Sequence, residues 1–376
     1  MKRNVISAAV NQAIAEQRLV GANVVVLRNG AVWHRESFGL ADREYAAPMN
    51  ANALFRYSSF TKPIVTAAAM VLVEQGRLHL QVPVERWLPD FRPLNPDGTP
   101  ASITVHHLLT HTAGLTYRLI EPNGPYAAAG VSDGLDRSGI SMTEELRRIA
   151  SVPLSFRPGT AWGYSVAIDV VGEVVARANG TSLPEAVGQL VTGPLGMADT
   201  GFEVRDVSRL TAHYIDGPPP KLMRDPEVVP MRDGGMTTFS PTRAFDKVSF
   251  PSGGAGMIGS TDDFVKFLET LRRGGAPILK PGTVREMMNN QIGSLRINTE
   301  PTPAWGFGYG GAVLMDPKLG QTPQPAGTWR WAGVYGHQWF IDPQNHLTVV
   351  VQTNTTLEGF CGKFVQELRD AVYRSL

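Results

Sequence analysis

The strand-like segments of this chain lie at its two ends, with helical patterns between them. Near the start, residues 23–27 form a β-branched run, Asn29-Gly30 is a two-residue hairpin signal, and residues 31–37 return as the partner strand. In the last third, residues 308–314, 328–334, 338–341 and 347–352 alternate or run apolar like strands between turns. Helical periodicity covers 4–18, 61–76 with Gly76 as the glycine past the helix end, 143–150, 167–178, 183–191, 261–273 and 361–373. Strands so far apart in sequence share a sheet only if both termini come together. This predicts an α+β fold with one antiparallel sheet, not a series of βαβ units. The implied division is 1–78 with 210–376 as the sheet domain and 79–209 as a mainly helical domain, the site lying in the cleft between them. Pro218 to Pro220 and Gly234-Gly235 mark a long loop region.

Composition removes several functional classes. At 43% hydrophobic and 18% charged residues, the chain has material for a sizeable core and is neither disordered nor a coiled coil. Lys+Arg 35 against Asp+Glu 34 leaves +1, so there is no electrostatic footprint for nucleic acid or acidic membranes. Cys361 is the only cysteine, which excludes an internal disulfide and a Cys-based zinc site and fits a reducing compartment. Lys2 and Arg3 precede an apolar stretch, 6–10, that Asn11, Gln12 and Glu16 interrupt, so an amphipathic helix is expected there instead of a secretory signal. The apolar run 64–73 is too short to span a bilayer. A cytoplasmic protein acting on a small molecule, with no metal and no cofactor, is the expectation.

Several motifs fail for lack of context. Gly306-Phe-Gly308-Tyr-Gly310-Gly311 satisfies G-x-G-x-x-G as a string, but it leads into strand-like residues and Trp331 stands where an acidic residue would be needed. His107 and His111 are four apart, yet Leu108 occupies the general-base position of H-E-x-x-H, so both are read as structural. There is no P-loop and no G-x-S-x-G elbow. Asp262-Asp263 reads as first-turn charge on a helix dipole.

One constellation survives. Ser59-x-x-Lys62 opens an apolar helical run, and residues three apart share a helix face. A hydroxyl needs a neighbouring base to become nucleophilic, and lysine serves only where its surroundings desolvate the ammonium. Phe55, Tyr57, Phe60, Ile64 and Val65 provide such surroundings. The backbone N–H of Ser59, near a helix start, suits an oxyanion. Tyr164 opens another helix, and Trp331-Ala332-Gly333 ends a strand, where glycine permits close approach to the backbone.

The order S-x-x-K, H-L-L-T-H-T-x-G-L (107–115), Y-S-x (164–166), P-S-G-G-A-G-M (251–257) and W-x-G-V-Y-G-H (331–337) resembles the bacterial esterases related to class C β-lactamases and penicillin-binding proteins. These are often called family VIII carboxylesterases, of the EstB type. The resemblance runs from the Asn29-Gly30 hairpin to the last helix. It implies a serine carboxylesterase hydrolysing short-chain neutral esters through an acyl-enzyme, with β-lactam hydrolysis as a weak side activity. It also implies that Ser59 is acylated, that Lys62 and Tyr164 transfer the proton, and that Val334 supplies the second oxyanion N–H beside that of Ser59. Trp331, Gly333 and Tyr117 are then substrate-binding. Trp331 stands where β-lactamases carry the lysine of Lys-Thr-Gly, and Val166 replaces the Asn of Tyr-x-Asn. Both losses favour neutral acyl groups.

Other readings remain open at this stage: a class C-like β-lactamase, a D-Ala carboxypeptidase, an acyltransferase, or a non-catalytic binding protein of the same fold. Against the last stands the joint presence of Ser59, Lys62 and Tyr164.

Overall fold

The computed structural model describes residues 4–231, 234–300 and 302–376; Lys2 and Arg3 lie outside the described residues. Its centre is an eight-stranded antiparallel sheet drawn from both ends of the chain. The strands are β1 (Gly21–Arg28), β2 (Ala31–Asp42), β3 (Ala47–Pro48), β4 (Trp305–Phe307), β5 (Ala312–Leu314), β6 (Trp329–Gly333), β7 (His337–Asp342) and β8 (Leu347–Thr353). They lie side by side in the order β4-β5-β6-β7-β8-β1-β2-β3. The termini meet where β1 pairs with β8, from Ala22 opposite Thr353 to Arg28 opposite Leu347. Asn29 (φ 52°) and Gly30 (φ 79°) both take positive φ, as a hairpin turn matched to strand twist requires.

Both faces of the central strands are covered, which is why β1 and β8 read as continuous apolar runs instead of alternating ones. On one face, α1 (Asn4–Ala15) and the last helix pack Ile6, Val10, Phe364 and Leu368 against Val24, Val26, Val349 and Val351. On the other, Val25, Leu27 and Val350 join a larger cluster with α2 (Thr61–Glu74), α3 (Ala167–Asn179) and α4 (Thr261–Arg272). Gly76 takes φ 69° just beyond α2, and Arg77 N–H and Gly76 N–H return to the Leu72 and Val73 carbonyls, closing the helix as expected. Asp262 and Asp263 occupy the first turn of α4.

Four readings are corrected. The segment 308–314 is not one strand: its glycines turn the chain between β4 and β5, where side chains would strike Met287 O and Trp329 Nε1. The expected loop around 218–235 contains two short hairpins, Tyr214–Ile215 with Lys221–Leu222 and Glu227–Pro230 with Met236–Phe239, which the flanking prolines conceal. Cys361 ends a short helix (Thr356–Cys361), and the closing helix is α5 (Lys363–Ser375). The helix expected over 183–191 continues as α-helix only over Leu183–Val187 and then loosens into a π-turn. Residues 79–209 contribute no strand to the large sheet; their helices pack beside α2. No helix among the described residues is long and apolar enough to cross a membrane.

Candidate active site

A tight turn, Ser58–Phe60, leads directly into α2 and separates two adjacent serines. Ser58 has φ 45°, an unusual conformation for a non-glycine residue, and its side chain is fully buried against the end of β6. Ser59 faces a cavity lined by Tyr117, Leu119, Leu135, Tyr164, Trp331 and Val334.

Two groups converge on Ser59. Its Oγ lies 2.8 Å from the Tyr164 hydroxyl and accepts a hydrogen bond from Lys62 Nζ at 3.1 Å. Lys62 is 2% exposed, and a second bond to the Gly254 carbonyl, 2.8 Å, fixes its Nζ. The same Nζ stands 4.9 Å from the centre of the Tyr164 ring and 5.5 Å from that of Tyr117. Lys62 is therefore desolvated and held by neutral acceptors and π faces.

Tyr164 sits in an aromatic cage. The rings of His111, Tyr117 and Trp331 have centroids 4.9, 5.1 and 5.2 Å from its own. Trp331 Nε1 donates to its hydroxyl at 3.4 Å, so the indole points into the site. Burial pushes the Tyr117 phenol well above its ordinary range and keeps it protonated. Burial, with the Lys62 charge adding to it, holds His111 well below the usual histidine range, so a neutral imidazole supports the phenol ring.

The structure brings Ser59, Tyr164, Tyr117, Trp331 and Val334 to one cavity, with the buried Lys62 bonded to Ser59, and treats Gly333 differently. A Cβ at Gly333 would lie 2.7 Å from Tyr57 O and 2.8 Å from Ser58 Oγ. The close approach that demands glycine is to the protein's own turn, and Gly333 does not line the cavity with Trp331, Ala332 and Val334. Val166 is fully buried as the residue before α3.

Three participants escaped the sequence reading. His107 caps its helix as expected, its Nδ1 accepting from Thr104 N–H, but His111 packs on Tyr164. The Gly254 carbonyl anchors Lys62. Asp169, on the first turn of α3, accepts from Ser252 Oγ at 2.5 Å and Gly254 N–H at 3.1 Å, holding the loop that presents that carbonyl. Burial raises the Asp169 carboxyl, against the pull of Ser252 and of Lys62. The only sequence signal for this loop is the glycine-rich run 251–257.

A serine hydroxyl held by a buried lysine and a caged phenol, on an antiparallel sheet closed by both termini, defines a serine hydrolase. The chain belongs to the beta-lactamase family, whose model matches residues 6–371. It is 48% identical over 372 residues to Esterase EstB of Burkholderia gladioli, covering 98% of this chain and 94% of that protein. It is 28% identical to the lovastatin esterase of Penicillium rubens over 87% of this chain and 86% of the other. Among solved structures, EstCE1, described as a hydrolase with promiscuous acyltransferase activity, superposes with a TM-score of 0.96 at 43% identity, covering 99% of this chain and 98% of that one. The chain is a serine esterase with the β-lactamase fold.

Proposed function

We propose that Ser59 is the nucleophile of a carboxylesterase that prefers short-chain neutral esters. The observation that carries this reading is the convergence of Lys62 Nζ (3.1 Å) and the Tyr164 hydroxyl (2.8 Å) on one serine Oγ at an apolar cavity. As Ser59 attacks the ester carbonyl, its proton passes to the Lys62–Tyr164 pair. The tetrahedral oxygen takes the N–H groups of Ser59 and Val334. The leaving alkoxide recovers the proton and departs as alcohol. Water then attacks the acyl-enzyme, the same pair takes its proton, and the acid leaves with Ser59 restored. Trp331 in place of a lysine and the buried Val166 leave no cation or amide there for an anionic β-lactam, which supports neutral substrates. A cytoplasmic location fits the single cysteine.

Initial rates on a p-nitrophenyl ester series and a chromogenic cephalosporin, from one preparation, test the preference; better turnover of the cephalosporin refutes it. Ser59→Ala is expected to lower kcat by about 10³ or more in a folded protein, with a wild-type serine adduct after phosphonate treatment. Retained activity and no adduct remove Ser59 from the role. A second reading, acyl transfer to an alcohol in place of water, is favoured by the likeness to EstCE1. Ester exchange products on adding a primary alcohol would reveal it.

A further inference from the structure

A second cavity, of about 430 Å³, is lined by residues of the same 251–257 loop whose Gly254 anchors Lys62. Neither Ser59, Lys62 nor Tyr164 lines it; Leu135 and Ala255 form a wall common to it and the Ser59 cavity. Its charged lining is Arg56, Arg205, Arg243 and Lys247 against Glu203 and Asp246.

The two inner arginines are held by neutral groups. Arg56 donates from Nε to Pro241 O at 2.9 Å and from Nη1 to Thr211 O at 2.9 Å, beside His213 Nδ1. Arg243 donates from Nη1 to Asp136 O and from Nη2 to Phe250 O. Carbonyls fix a guanidinium without cancelling its charge, and arginine does not shed its proton. Among the described residues no carboxylate lies within 4.0 Å of either guanidinium, and Arg56 Nη2 and Arg243 Nε have no protein acceptor. Burial depresses both groups from the usual arginine value, while Asp136, Asp169 and Asp246 act on Arg243, and Asp225 on Arg56, in the other direction from beyond that distance. The one acid deep in the lining is already engaged: Asp246 accepts from Val248 N–H, Ser249 N–H and Ser249 Oγ. Val187, Phe202, Phe250 and Ile258 supply apolar wall between the charges.

We propose that this cavity is an accessory binding site for an organic carboxylate, its anionic end met by Arg56 and Arg243 and its hydrocarbon by the apolar wall. Fixed guanidiniums match a planar carboxylate with charge-assisted bonds, and the apolar wall favours an organic acid over a bare inorganic ion. The site rests on the cavity's own residues and holds whether or not Ser59 is the nucleophile.

The test is calorimetric titration of Ser59→Ala protein, in which ester turnover plays no part, with hexanoate, hexanamide and inorganic phosphate. Hexanoate is expected to bind and raise Tm, with the neutral amide weaker by about tenfold or more, the scale of a hydrogen bond to a charged group. Arg243→Gln on the same background is expected to weaken hexanoate by about tenfold or more. Ala244→Phe, which places a ring at the cavity wall and leaves both arginines in the chain, gives the same loss if the arginine variant does not fold. Equal binding of acid and amide, tighter binding of phosphate than of hexanoate, or hexanoate affinity unchanged in a folded variant would each overturn the proposal.

Discussion

Lys62→Met and Tyr164→Phe, made singly and together, ask whether the two partners of Ser59 act as one proton-transfer device. Both contacts end on the same Oγ, at 3.1 and 2.8 Å, and Lys62 lies against the face of the Tyr164 ring. A positioned general base is worth about 10²–10⁴ in rate. If each loss is about 10³ and the two act independently, the double variant falls by about 10⁶, roughly 8 kcal/mol at 1.36 kcal/mol per decade. If they share one proton, removing either already disables the transfer, and the double variant falls by only about 10³–10⁴. The expected coupling is therefore about 3–4 kcal/mol. Folding should not confound the cycle. Met keeps most of the lysine volume while removing the buried amine, and the Gly254 carbonyl left without its donor costs about 1–3 kcal/mol. Phe at 164 keeps the ring in its cage. The assay is kcat/KM for p-nitrophenyl butyrate across the four proteins, with near-ultraviolet circular dichroism confirming the fold. Losses that simply multiply would refute the shared device, and a folded single variant with near-normal turnover would exclude that residue from it.

Three further perturbations follow from the same geometry. Trp331→Ala is expected to lower kcat/KM for neutral esters by about tenfold or more, since it opens the cage around Tyr164 and removes its indole donor; an unchanged value would show the indole to be incidental. Asp169→Asn keeps an acceptor for Ser252 but removes the charge behind Gly254, so kcat should fall on the order of tenfold with KM little changed, as for other second-tier partners; a parallel rise in KM would point to general disorder of the site instead. Burial raises Glu145 to about 8 and Asp133 to about 7, so the folded state holds protons that the unfolded chain releases nearer its ordinary carboxyl values. Stability is then greatest at or below about pH 4 for these two groups and declines as pH rises towards 7–8. Tm measured from pH 5 to 8 should fall, and Glu145→Gln should flatten the slope; an identical slope in the variant would exclude Glu145 as its source.

Much of the fold is legible because its signals are local. The β-branched runs of β1 and β8 and the Asn29-Gly30 turn each specify their own conformation, and pairing the two ends follows from there being little else for those strands to join. What was not legible depends on distant partners. The segment Leu54–Arg56 is a strand only because Ile258–Ser260 lies beside it, and β3 is two residues long, defined by Leu40 and Asp42 opposite. The Gly254 contact to Lys62 uses a backbone carbonyl, which every residue has and no sequence displays. Asp169 is one acid on an apolar helix, and only its position over the 251–257 loop makes it a partner of the site.

The choice between the two adjacent serines shows where spacing stops and geometry takes over. Ser58 and Ser59 stand four and three residues before Lys62, and both separations place side chains on one face of a helix. Spacing alone therefore admits either serine. The backbone separates them: with φ 45° at Ser58, the chain has not yet entered α2, and the Ser58 hydroxyl turns under β6 to accept from Tyr335 N–H at 3.4 Å. Gly333, lacking a Cβ, makes room for that hydroxyl. Ser59, the next residue, is thereby left facing Tyr164 and Lys62. The unusual φ at Ser58 and the glycine at 333 thus form one arrangement: it locks the end of β6 against the turn, and so carries Val334 to the cavity into which Ser59 opens.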